Sequence, residues 1–111
     1  MSLMVVAVLQ AKPGCGSAVI DSFREVSPLV HQEPGCELYA AHLEQNGDTV
    51  VMIERWSSLD DLNRHANGKP LERLNQLNED LLVKPYDVWF LDPIALGEHQ
   101  KGLVPAFNAP A

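Results

Sequence analysis

With 111 residues, 46% of them hydrophobic, the chain has the length and composition of one small folded domain, too small to enclose a roomy pocket easily unless a second copy helps to close it. A formal net charge of -7, with only eight scattered Lys and Arg, argues against nucleic-acid phosphates and anionic membranes as partners. No apolar run approaches the roughly 20 residues of a spanning helix. The opening MSLMVVAVLQAKPG lacks the basic start and small-residue cleavage pattern of a leader, so a cytoplasmic protein is expected.

Leu3 to Gln10 is apolar and β-branched almost throughout and stops at KPGCG, the pattern of a buried strand and a turn. From Ser17 the period changes: Val19, Ile20, Phe23, Val26 and Val30 recur at helical spacing, predicting a helix over 17–32 with Pro28 in its later part. EPG then ends the helix. CELYAAHLEQ reads as a strand with Leu38, Ala40 and His42 on one face and Tyr39, Ala41 and Leu43 on the other. NGD is a hairpin signal, and the returning strand, Thr49 to Trp56, places Val50, Met52, Glu54 and Trp56 on one side and Val51, Ile53 and Arg55 on the other.

Ser57 or Ser58 caps the next helix, with Asp60 or Asp61 three residues on as an acidic form of the capping box. That helix runs to about Asn67, where NGKP breaks it, and the stripe Leu71, Leu74, Leu77, Leu81 predicts a second helical segment over 70–82. YDVWFLDPI, from Tyr86 to Ile94, is the last strand, ended by Pro93. The expected fold class is α+β, a split β-α-β-β-α-β ferredoxin-like arrangement over residues 1–94 with one antiparallel sheet and both helical segments on one face. The uncovered apolar face predicts a homodimer, since large exposed apolar patches are rare on soluble monomers. Residues 95–111, with Gly97, Gly102, Pro105 and Pro110, form an unpatterned tail, read as disordered or as an extended arm in which Leu103, Val104 and Phe107 would contact the partner.

The chain contains no GxSxG, P-loop or HExxH motif and no carboxylate pair in a suggestive context, which leaves histidines and aromatics as candidates. His65 lies one helical turn from Leu62 and so points towards the sheet, where it either lines a pocket or is a partly buried histidine bonded to backbone. His42 lines a cavity or faces an interface. His31, near a helix C-terminus, and His99, in the tail, read as structural or solvent-facing. Trp56 is a core aromatic or a pocket wall. Glu54 and Arg55 occupy opposite strand faces, so one of them meets an apolar layer and needs a partner there. Cys15 and Cys36, in Gly-flanked turns without ligand-spaced neighbours, imply neither a metal site nor a disulfide.

KPG after the first strand, EPGCELYAAH opening the second, ERW ending the third and LDDLNRHANGKPLERL after it resemble, in order and spacing, the antibiotic biosynthesis monooxygenase domain family over about residues 3–94. The resemblance implies a dimeric α+β barrel and, as in quinol monooxygenases of the family, oxidation of a quinol or polycyclic phenolic substrate by O2 with no cofactor and no metal. It implies His65 as the base, histidine's ordinary pKa near 6.5 suiting it to neutral pH. Trp56 stands beside it as a catalytic residue, and Tyr39, His42 and Arg55 as substrate-binding residues. The family also contains haem degraders and small-molecule isomerases. The haem-degrading pattern has an asparagine on the first strand, absent from LMVVAVLQ, although Gln10 offers a carboxamide; an isomerase would use His65 and His42 as proton shuttles. From another class of function, a non-catalytic dimeric module for a small apolar ligand remains open.

Overall fold

The computed structural model describes residues 2–104. Its elements are β1 (Leu3–Gln10), α1 (Gly16–His31), β2 (Cys36–Leu43), β3 (Thr49–Trp56), α2 (Leu59–Ala66), α3 (Lys69–Asn78), β4 (Asp87–Leu91) and a last helical turn, α4 (His99–Gly102). The four strands form one antiparallel sheet in the order β2-β3-β1-β4, the expected ferredoxin-like α+β topology.

Alternation fixes which side chains meet the helices. On β3, Val50, Met52, Glu54 and Trp56 are buried, while the residues between them are only partly covered. On β1, Val5, Ala7 and Leu9 share that inner face and pack with Val19, Phe23, Val26 and Val30 of α1 and Leu62 and Leu74 of α2 and α3. Val88 and Phe90 of β4 pair with Ala7 and Val5, so they too point to the helical side. Val6, Val8, Leu38, Ala40, Val51 and Ile53 form the opposite face, joined by Trp89 and Leu91, which are 56% and 45% exposed.

α1 continues through Pro28, which is exposed; the partner carbonyl left by the missing N–H, that of exposed Arg24, lies on the solvent side. No side chain of the helix's own N-cap closes its start. Asp48 at the end of the β2–β3 hairpin does so, accepting from the backbone N–H groups of Gly14 (3.0 Å) and Gly16 (2.9 Å), which holds its carboxyl below the usual range. The hairpin turns on Asn46, whose φ is 58°. At the start of α2, Ser58 is the N-cap and accepts from Asp61 N at 3.1 Å. The Asp61 carboxylate in turn accepts from the hydroxyls of Ser57 and Ser58 and is thereby held low.

Two boundaries differ from the sequence expectation for a shared reason. α3 stops at Asn78 and not at 82, because the backbone of residues 81–83 bonds to the end of β1: Lys12 N donates to Leu81 O and Val83 N to Gln10 O, each at 2.8 Å. β4 stops at Leu91, where β1 has almost run out of residues to pair with it. Beyond it, the described part of the tail carries the α4 turn; residues 105–111, including Phe107 and Pro110 of the expected arm, lie outside the described residues. Among the described residues no helix is long and apolar enough to cross a membrane.

Candidate active site

Between the inner face of the sheet and α2 and α3 lies a cavity of about 230 Å³ with strongly apolar walls. Leu62, Leu71 and Leu74 roof it, while Val5, Ala7 and Met52 supply much of its floor. Its mouth is at the β4 edge, where Phe90 is both a wall residue and 69% exposed. Few polar groups enter: His65 and Asn63 from α2, Glu54 from β3, and Tyr39 and Tyr86. A dry pocket with a few convergent polar groups is the usual form of a small-molecule site, and this volume is below the roughly 300–1,000 Å³ common for drug-sized ligands.

His65 is 5% exposed and held on three sides. Its ring stacks on the Trp56 indole at 4.5 Å between centroids and 27° between planes. Tyr39 meets it edge-on at 5.6 Å. Its Nδ1 lies 2.7 Å from Glu33 Oε1, so the ring is anchored by a carboxylate and not by backbone. Glu33 comes from the α1–β2 turn and abuts Gly68 at the N-terminus of α3, where an added Cβ would come within 3.0 Å of Glu33 Oε2. That turn is fixed by Gly35, whose φ of 78° belongs to the left-handed region and whose missing Cβ leaves room for the Asp61 side chain. Ser57 N donates to Gly35 O at 2.9 Å, so the start of α2 and the start of β2 are tied at the same point.

Glu54 is the other acidic group of the cluster. It is 6% exposed, pairs directly across the sheet with Tyr39, and its Oε1 accepts from Trp56 Nε1 at 3.0 Å. Burial raises its pKa above the ordinary 4.5 and the neighbouring Glu33 adds to the rise, while the Trp56 hydrogen bond and His65 oppose it. Burial likewise raises the Tyr39 hydroxyl, with Glu54 and Glu33 adding to the effect, so this phenol stays neutral. The Cys36 thiol is pushed up to about 11, chiefly by burial, which removes it as a nucleophile at neutral pH.

Of the five residues singled out from sequence, the structure brings His65 and Tyr39 to the cavity wall. Trp56 is fully buried behind His65 and does not line the cavity; the end of β3 drives it under α2, where it supports the ring and holds Glu54. His42 and Arg55 are not part of the site, because strand alternation turns both to the opposite face. There His42 Nδ1 donates to Val51 O at 3.1 Å and Arg55 pairs with Glu37 at 3.0 Å. A shuttle between His65 and His42 therefore does not form. His31, expected to face solvent or serve structure, bonds Tyr39 O through Nε2 at 3.0 Å. Glu33 and Glu54 were not anticipated as a pair. Strand alternation carried a signal for Glu54, as a charge among inward apolar residues. For Glu33, 32 positions before His65, no local pattern existed.

The sequence profile of the antibiotic biosynthesis monooxygenase family matches residues 2–76. The chain is 34% identical to the "Probable quinol monooxygenase YgiN" of Escherichia coli K12, over 57% of this chain and 71% of that protein. Among solved structures it is similar to PA3566 of Pseudomonas aeruginosa, with a TM-score of 0.76 and 28% identity over 85% of this chain and 95% of that one. It is also similar to Rv0793 of Mycobacterium tuberculosis, with a TM-score of 0.75 and 25% identity over 88% and 100% of the two chains.

Proposed function

The chain belongs to the antibiotic biosynthesis monooxygenase family, and from that premise we propose that it oxidises a small quinol or phenol with O2, without a cofactor, in the cavity beneath α2 and α3. The observation that carries this reading is the placement of His65: a buried imidazole in an apolar cavity wall, with one ring nitrogen already engaged by Glu33. With Nδ1 donating to the Glu33 carboxylate, Nε2 is the nitrogen left to accept a proton. The arrangement is that of a general base oriented by an acidic partner.

A phenolic hydroxyl presented to Nε2 loses its proton, and the phenolate shifts electron density to a ring carbon that can transfer electrons to O2. The apolar roof of Leu62, Leu71 and Leu74 excludes water from that carbanionic form and from the peroxide that follows. Tyr39, kept neutral by its burial, contributes a wall and a hydroxyl that can donate but does not compete as a base. A cavity of about 230 Å³ favours a one- or two-ring quinol over the larger polycyclic phenols that the sequence reading also admitted. In solution two copies pair through the open sheet face, on which Trp89 and Leu91 stand exposed.

The test is oxygen uptake with a panel of chemically reduced quinones, measured for the natural protein and for His65→Ala. Uptake above the uncatalysed rate is expected, with a fall of about 10²- to 10⁴-fold in the variant, the usual contribution of one acid–base group. No uptake with any quinol, or full activity in His65→Ala, refutes the reading. Recovery of a bound aromatic ligand unchanged would instead favour a binding module.

A further inference from the structure

His65 accounts for the removal of a proton, but the reaction proposed above must also deliver one to oxygen. When a carbon-bound peroxide collapses to a carbonyl, its outer oxygen leaves as hydroxide, and in an apolar cavity that charge has no water to receive it. Glu54 is the one acidic carboxyl among the described residues that line the cavity. One of its oxygens is occupied by the Trp56 N–H, which points the carboxyl group and leaves the second oxygen to carry a proton. The titratable groups around it are Glu33 from the α1–β2 turn, Cys36 and Tyr39 from β2, His65 from α2 and Tyr86 ahead of β4. From β1 it meets apolar Val5. Burial, with Glu33 adding, pushes its pKa upward against the opposing Trp56 hydrogen bond and His65.

We propose that Glu54 is the proton donor of the cavity, delivering to the departing peroxide oxygen the proton with which it leaves as water. The proposal rests on the oxygenase reading. For an enolic ring carbon bearing one hydrogen, His65 takes the hydroxyl proton, an electron pair passes from the ring carbon to O2, and a C–O bond forms. The peroxide anion recovers that proton from His65. Loss of the C–H proton to His65 then forms the new C=O bond and breaks the O–O bond, and the hydroxide takes the Glu54 proton. His65 passes its proton to Glu54, restoring both groups. The substrate loses two hydrogens and gains one oxygen, and the second oxygen of O2 departs as water with both hydrogens.

The discriminating variant is Glu54→Gln, which keeps an oxygen for the Trp56 N–H but has no acidic proton; circular dichroism confirms that it is folded. With a quinol and O2, the variant should consume oxygen yet form carbonyl product about 100-fold more slowly, releasing organic hydroperoxide that a peroxide assay detects. An unchanged product rate with no hydroperoxide overturns the proposal and leaves the oxygenase reading intact. A second measurement needs no turnover: the infrared carbonyl band of a neutral carboxylic acid, present at pH 7 in the natural protein, lost in Glu54→Gln and shifted when a quinone binds. A protein idle with every quinol that shows this band and its shift refutes oxygenation, and the peroxide step with it, while Glu54 stands only as a protonated carboxyl of the cavity. Absence of the band overturns the assignment whatever the activity.

Discussion

Trp56→Phe tests whether the indole works through its N–H or only through its bulk. Trp56 is fully buried, donates to Glu54 Oε1 at 3.0 Å and stacks on His65, and phenylalanine keeps a ring for the stack while removing the donor and part of the volume. Losing the hydrogen bond and leaving a buried carboxyl oxygen unpaired costs about 1–3 kcal/mol. The void left by the smaller ring costs about 1 kcal/mol more. A total of about 3 kcal/mol is a large share of the roughly 5–15 kcal/mol that holds a domain folded. The assay is urea unfolding at several pH values, read as a midpoint shift at constant slope. Burial raises the folded-state pKa of Glu54, so its contribution to stability is fully present below the unfolded value and is lost as pH rises through the folded one. The Trp56 hydrogen bond opposes that rise, so removing it moves the folded pKa higher still. The deficit of Trp56→Phe should therefore widen between acid and mildly alkaline pH. A deficit below about 0.5 kcal/mol, or one that does not change with pH, refutes the coupling between the indole N–H and Glu54.

Glu33→Gln replaces the carboxylate on His65 Nδ1 with an amide and should lower kcat for quinol oxidation by tenfold or more with little change in KM, because the base loses its orienting partner; steady-state oxygen uptake checks this. In sedimentation the protein should run as a dimer, and Trp89→Lys, which places a charge on the open sheet face, should shift it to monomer without unfolding it, since that side chain is 56% exposed within one copy.

The antiparallel sheet and the two faces of β2 and β3 were legible because alternation and helical phase are local signals: Val50, Met52, Glu54 and Trp56 could be assigned to one side without knowing what covered them. The ends of α3 and β4 were not, since the first depends on bonds from residues 81–83 to Gln10 and Lys12 and the second on where β1 begins opposite Leu91, both far off in the chain. The site divided along the same line. Helical phase put His65 against the sheet, and the uncertain registry of β2 with β3 resolved into a direct Tyr39–Glu54 pair once the bulge between Cys36 and Leu38 was in place. Arg55 and His42 lie outside the cavity because strand parity turns them to the face opposite Glu54 and Tyr39, which for His42 is the second of the two places its strand allowed. Glu33 lay in a turn, EPG, whose only local meaning is to stop a helix.

The position of the His65 ring is over-determined. The Trp56 stack fixes the plane, the Tyr39 edge fixes the tilt, and the Glu33 carboxylate fixes the rotation within the plane and the nitrogen that carries the proton. Each constraint comes from a different part of the chain: the end of β3, the middle of β2 and the α1–β2 turn. A packing role for His65 would need the stack and the edge contact, both of which a phenylalanine could make. It would not need a carboxylate 2.7 Å from one nitrogen, in a partly buried turn where an acidic group is costly to cover unless it is bonded. The Glu33 contact is therefore the feature that separates a base from a core aromatic. Its loss in Glu33→Gln should change activity far more than stability.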